Sequence, residues 1–243
     1  MNNKLVIGAI AVAIVLIVGY FIYSGTPEVS AMGQASLQVQ PDEISVYVQI
    51  ETKNATLQDA QKANSEIREK VLENLLAMEI DEENIQFSNY QSYPWSEWNG
   101  NKYLEKGYIV SQQIIVKASE FKQAPRIVDK AIEAGALVQS ISLELSDEKQ
   151  NEYKAQALKA ASENAKEKAE AIAEGQGKNI GRLLSIESSD FNYVPYPYYE
   201  ARGGVAASDS AAEAKQAVSS IALEPKELEV SASVSVKYKL SLL

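Results

Sequence analysis

Hydrophobic and polar positions alternate along Val29–Gln40. Val29, Ala31, Gly33, Ala35, Leu37 and Val39 fall on one face, with Ser30, Gln34, Ser36 and Gln38 on the other. Glu43–Thr52 repeats the pattern with Ile44, Val46, Val48 and Ile50 inward. A period of two with a polar opposite face predicts half-buried antiparallel strands. Pro41-Asp42 between them is a turn pair, so the two strands are expected to form a hairpin.

The period then changes. Leu57, Ala60, Asn64, Ile67, Val71, Leu75 and Met78 recur at three- and four-residue steps, with Asn64 the polar exception. Thr56-x-x-Asp59 resembles a capping box at the start of this amphipathic helix. Two further strands are expected near Asn84–Tyr93 and Lys106–Ala118, joined by a turn-rich aromatic tip from Pro94 to Asn101. A short helix around Ala124–Ile132, with Pro125 in its first turn, ends at Gly135, a suitable left-handed cap. Leu137–Leu145 reads as a strand, and Ser146–Glu174 as a long helix whose inner stripe is mostly alanine (Ala157, Ala161, Ala165, Ala169). Ile180–Ser188 and the cleanly alternating Leu228–Leu240 complete the strands. Between those two lies a loop at about 190–226. Its Ala/Ser/Gly centre, Gly203–Ser210, lacks apolar periodicity and is expected to be mobile.

Leu5–Tyr23 is an uncharged run long enough for a helix of roughly 28 Å, close to the roughly 30 Å of a bilayer core. Lys4 beside the amino group favours an N-in orientation. The sequence therefore predicts a transmembrane signal-anchor over residues 1–24 and an α+β domain over 25–243. That domain is expected to be mostly antiparallel sheet with helices packed on one face, in the order β-β-α-β-β-α-β-α-β-β. A cleaved signal peptide is the rival reading, although its apolar region is usually shorter. Both put the body outside the cytoplasm, in the periplasm or at the cell surface, the first as a single-pass cell-membrane protein.

Charge and composition narrow the chemistry. Without Lys4, 22 basic residues face 33 acidic ones, a net −11 that repels phosphates and makes nucleic acid an improbable partner. The chain has no His and no Cys, which removes His- and Cys-based catalysis, the usual zinc sites, disulfides and a lipoprotein anchor. Ser119-x-x-Lys122 and Ser146-x-x-Lys149 match a serine-nucleophile motif, but each serine precedes a predicted helix, where it is a natural cap. Gly175–Gly181 follows a helix and enters a strand, opposite to a phosphate loop. Asp81–Asn84 lacks the spacing of a calcium loop and reads as a surface turn. No catalytic, cofactor-binding or metal-ligating residue is assigned.

Aromatic clusters are the remaining candidates for function. Trp95 and Trp98, with Tyr90, Tyr93 and Tyr103, decorate one hairpin, and Phe191, Tyr193, Tyr196, Tyr198 and Tyr199 open the late loop. Loop aromatics of this kind form partner or assembly surfaces, or else pack on each other and on the sheet.

Four stretches carry a resemblance to the SIMPL-domain family, which comprises YggE-like and periplasmic immunogenic proteins of bacteria and archaea. They are Gly33 and Ala35 ahead of Pro41-Asp42 with Ala60 and Asn64; Ile80-Asp81-x-x-Asn84-Ile85-Gln86; Gly107-Tyr108-x-Val110-Ser111-Gln112 leading to Val128-Asp129-x-Ala131 and Gly135-Ala136; and the alanine-rich helix from Ala157 to Gly175, then Gly181. Glu79 departs from the pattern, standing where the family usually has glycine. The resemblance implies an exported, self-associating α+β protein, loosely tied to envelope or oxidative stress, with no active site to carry over. The expectation is a non-enzymatic, envelope-anchored homo-oligomer acting by protein contacts. The alternative is a carboxylate-dependent hydrolase or a small-ligand-binding protein, and a hydrolase needs a cleft holding two acidic side chains about 5–10 Å apart.

Overall fold

A computed structural model describes residues 12–17, 27–188, 191–200, 212–213 and 225–242. The transmembrane helix expected over Leu5–Tyr23 is corrected by it. Among the described residues no helix is long and apolar enough to cross a membrane. Within that stretch only residues 12–17 are described, and they are helical. The rest of the stretch lies outside the described residues, as does Gly203–Ser210.

The expected mostly antiparallel sheet divides between two sheets in two compact units. One unit comprises Gln38–Asn151 and Tyr193–Glu229. Its strands are β2 (Glu43–Asn54), β3 (Ile85–Trp98), β4 (Tyr103–Ala118), β5 (Leu137–Glu144) and β8 (Tyr196–Glu200), ordered β3-β4-β2-β5-β8 with every pairing antiparallel. Helices α1 (Leu57–Leu76) and α2 (Ala124–Glu133) cover one face. Ile44, Val46, Val48 and Ile50 of β2 are fully buried there with Ile114 and Val116 of β4, Val71 and Leu75 of α1, and Ile127 and Val128 of α2. At about 25 cal/mol per Å² of apolar surface, burying each such side chain contributes roughly 1.5–3 kcal/mol.

The other unit comprises Met1–Leu37, Glu152–Asn192 and Val230–Leu243. Its sheet runs β1 (Glu28–Val39), β9 (Leu228–Leu242), β6 (Lys178–Ser188), with the two-residue β7 (Asn192–Tyr193) pairing β9. Helix α3 (Asp147–Glu174) buries Ala157, Ala161, Ala165, Ala169 and Ala173. A Cβ at Gly33 of β1 would collide with the Ala161 carbonyl oxygen and the Ala165 amide. The alanine stripe and Gly33 together let strand and helix backbones touch.

The expected β1–β2 hairpin therefore does not form. Pro41 has no N–H for a ladder, and the Asp42 N–H instead donates to the Glu144 carbonyl, extending the pairing of β2 with β5. Asp42 also accepts from the Ser146 N–H (2.8 Å) and hydroxyl (2.7 Å). Ser146 in turn accepts from the Lys149 N–H at 3.3 Å, which makes it a cap of α3 rather than a nucleophile. Thr56 caps α1 as its sequence implies, its hydroxyl accepting from the Asp59 N–H at 3.1 Å. Gly135 has φ 95 beyond the end of α2, the cap conformation expected there.

Candidate functional site

The aromatic segment read as a turn is strand. β3 continues to Trp98 and β4 begins at Tyr103, so Pro94–Trp98 are paired residues, and Asn99–Lys102 make the turn. The Asn99 carboxamide accepts from the N–H groups of Asn101 (3.1 Å) and Lys102 (3.0 Å), supplying the turn chemistry. β2 accompanies β4 only as far as Asn54, opposite Tyr108. Beyond it β3 and β4 run on alone as a two-stranded arm.

Gly107 sits where the arm leaves the sheet. Its φ of 137 disfavours any side chain, and a Cβ would strike the Asn54 carbonyl. The ladder shifts register between Trp95 and Ser96, opposite Gly107 and Glu105. A bulge of this kind adds twist and turns the arm out of the plane.

The arm carries apolar surface that is exposed among the described residues. Only Ile85 of β3 is buried. Trp98 and Tyr103 face each other across the ladder with ring centroids 5.2 Å apart, yet remain 57% and 73% exposed. Tyr90, Tyr93 and Tyr108 are exposed as well. Trp95 is half-buried, with the Lys53 ammonium 5.6 Å from its ring centre. Among the described residues, the Gln91–Trp98 edge of β3 has no strand beyond it in the sheet order.

The late-loop aromatics have a different setting. Tyr199, on β8, is only 7% exposed and belongs to the core cluster, with Tyr196 packed against it. The Tyr196 hydroxyl accepts from Lys226 at 2.9 Å. The Tyr193 hydroxyl accepts from the Leu145 N–H at 2.7 Å. Tyr198 is in β8, and its side chain lies outside the described residues. The two aromatic groups are thus not one surface. The hairpin group lies in the open, while Tyr193, Tyr196 and Tyr199 fasten the ends of the late loop to β5 and the core.

Two carboxylates do meet on the helix-free face of the five-stranded sheet, where Glu43 and Glu144 are directly paired. Both have structural partners. Lys117 Nζ donates to Glu43 at 2.9 Å, and the Tyr47 hydroxyl donates to Glu144 at 3.1 Å. The hydrogen bond to Glu43 raises the Lys117 pKa. Burial first, then the Glu144 charge, pushes the Tyr47 phenol up to about 12, and burial also raises Tyr193 to about 12. Lys117 and Tyr47 thus each hold one of the two carboxylates.

Farther along the same face, Gln49, Asn89, Gln91, Ser111, Gln113 and Gln139 line a shallow cavity of about 250 Å³. Sequence reasoning missed it because the residues come from four strands. Alternation identifies the polar face of each strand, but only the register brings these amides side by side.

The fold and these surfaces define a β-rich α+β protein with two compact units, an aromatic arm and a polar sheet face. The SIMPL profile, described as a protein of unknown function (DUF541), matches residues 29–238, and the chain belongs to that family. It is similar to "Uncharacterized protein YggE" of Escherichia coli K12, 26% identical over 191 residues, covering 77% of this chain and 76% of that one. YggE of Edwardsiella ictaluri is 29% identical over 176 residues, 70% and 72% of the two chains. The "26 kDa periplasmic immunogenic protein" of Brucella melitensis is 27% identical over 180 residues, 72% and 71% of the two.

Proposed function

We propose that the protein works outside the cytoplasm, without catalysis of its own, by joining further copies of itself through the β3–β4 arm. The extracytoplasmic setting is supported by the periplasmic relatives, and a part in envelope or oxidative stress by the family resemblance. The observation that carries the reading is the exposed Trp98–Tyr103 pair at the arm's tip, next to a strand edge left unpaired among the described residues. Net charge of −10 opposes general stickiness, so association has to rest on a localised apolar contact. Aromatic anchors at the centre of such a contact are each worth about 2 kcal/mol or more. Among the described residues the directly paired carboxylates, Glu43 and Glu144, are held by Lys117 and Tyr47, which favours the assembly reading over the carboxylate-hydrolase alternative.

Light scattering coupled to size-exclusion chromatography tests this. The wild type is expected to run as an oligomer, and Trp98→Ala with Tyr103→Ala is expected to lower its mass. Far-UV circular dichroism and melting of the subunit should stay nearly unchanged, since both rings lie outside the core. A monomeric wild type, or an oligomer indifferent to both substitutions, refutes the reading.

A further inference from the structure

The amide-lined cavity is organised in a way that a merely solvated sheet face does not require. Gln113 stands at its centre. Its carboxamide oxygen accepts from the Asn89 amide (3.0 Å) and the Ser88 hydroxyl (3.2 Å), and its nitrogen donates to Gln139 at 2.7 Å. Gln49 donates to the Ser111 hydroxyl at 3.1 Å. These bonds fix the amide orientations across β3, β4, β2 and β5 while using only part of each group's capacity, since a primary amide offers two donors and two lone pairs. Asn89 reaches the cavity from a left-handed backbone (φ 51) within the register shift between Ser88 and Gln91. That strained position is tolerated where it aims a side chain.

Three properties select the ligand. The six lining residues are uncharged, and Glu51 and Lys53, farther along β2 from Gln49, pair with each other at 3.1 Å. Donors and acceptors alternate over a few ångströms, which suits a hydroxyl, itself both donor and acceptor. On the edge strand Gln91, Tyr93 and Trp95 follow at two-residue steps on one face, so aromatic rings begin within about 7 Å of the amides. Their electron-rich faces suit the C–H surface of a sugar ring. We propose that this face binds a neutral hexose-based oligosaccharide, one ring held by the amides of Gln49, Gln91 and Gln113 and the next lying over Tyr93 and Trp95. The site shares Gln91, Tyr93 and Trp95 with the arm but not Trp98 and Tyr103 at its tip, so loss of the tip contact leaves it in place.

The chain's two tryptophans make the test direct. In full-length Trp98→Phe protein, Trp95 is the sole indole reporter. Its fluorescence is followed during titration with a tetramer of β-1,4-linked N-acetylglucosamine, with maltotetraose, and with polygalacturonate. A saturable change is expected with at least one neutral tetramer and not with the polyanion. Gln113→Ala and Gln49→Ala should each raise the half-saturation concentration about tenfold, the loss expected for one or two hydrogen bonds. Gln91→Ala, on the exposed edge, gives the same readout should either inner substitution disturb folding, which circular dichroism monitors. No saturation with either neutral tetramer at millimolar concentration overturns the proposal. So does equal binding of polygalacturonate, or unchanged half-saturation in every folded variant.

Discussion

Asn64 shows how one residue resolves an apparent conflict in a pattern. It interrupts an apolar helical stripe, yet it is only 1% exposed. Its amide donates to the carbonyls of Ile50 (3.4 Å) and Val110 (3.3 Å), stitching α1 to two strands. Glu79 is the reverse case. It holds φ 61 at the end of α1, where the Ile80 N–H returns to the Leu75 carbonyl at 3.3 Å in a Schellman-type close. Glycine tolerates that conformation without the roughly 1–2 kcal/mol that an L side chain pays, so Glu79→Gly is expected to stabilise by about 0.5–1 kcal/mol after its greater unfolded entropy is counted. Urea denaturation at neutral pH measures it, and destabilisation would contradict the reading of the cap. Tyr47 and Tyr193 give a pH dependence. Their phenols are raised from 10.0 to about 12 in the folded chain. Between those values the unfolded chain releases its protons first, so this contribution is complete below pH 10 and is lost as pH rises towards 12. Melting curves taken from pH 9 to 12 should fall less steeply for Tyr47→Phe than for the wild type, and parallel curves would deny Tyr47 the raised value.

Elements here are shaped by how closely their backbones approach. β1 and α3 meet at Gly33, facing Ala161 and Ala165, with backbone atoms where a methyl group would go. Gly33→Ala must push helix and strand apart, and overpacking of this kind costs typically 1–3 kcal/mol. Chemical denaturation is expected to show a loss near the upper end of that range, whereas a neutral result would mean that the sheet and helix can separate freely. The β3–β4 arm follows the opposite logic, since it reaches beyond the helices and has little core of its own. A two-stranded ribbon is marginal alone, and the Asn99 turn closes its tip.

Across the whole molecule, the two units are not consecutive in sequence. The C-terminal strand β9 is central to the sheet formed with β1 and β6, burying Val230, Ala232, Val234 and Val236. Removing Val230–Leu243 takes away the partner of both neighbours. Hydrogen exchange on the truncated chain is expected to show protection lost from β1, β6 and the alanine stripe of α3. It should persist in β2, β4 and β5, whose core includes none of the deleted residues. Equal loss in both units would show that they fold as one cooperative body.

The sequence alone determined most elements, because alternation, helical periodicity and caps are local, but it read Pro94–Trp98 as turn and missed β7 and β8 within the late loop. Thr56, Ser146 and Gly135 could be placed by their neighbours, and the long strand of β9 by its strict alternation. The alanine stripe announced close packing before any partner for it was known. Which strand pairs with which was not local. Pro41-Asp42 looks like a hairpin turn, and only the competing partners Glu144 and Ser146 show that β1 and β2 part company there. An apolar span at Leu5–Tyr23 could likewise be read from composition, while its crossing a membrane could not. The candidate surfaces divide in the same way. Aromatic residues are visible in any sequence, but burial separates Tyr199 in the core from Trp98 on the arm. The amide cavity exists only because antiparallel register places Gln49 opposite Gln113 and Ser111 opposite Gln91. Side-chain chemistry is written residue by residue, whereas proximity between distant residues is set by the free energy of the whole packed sheet.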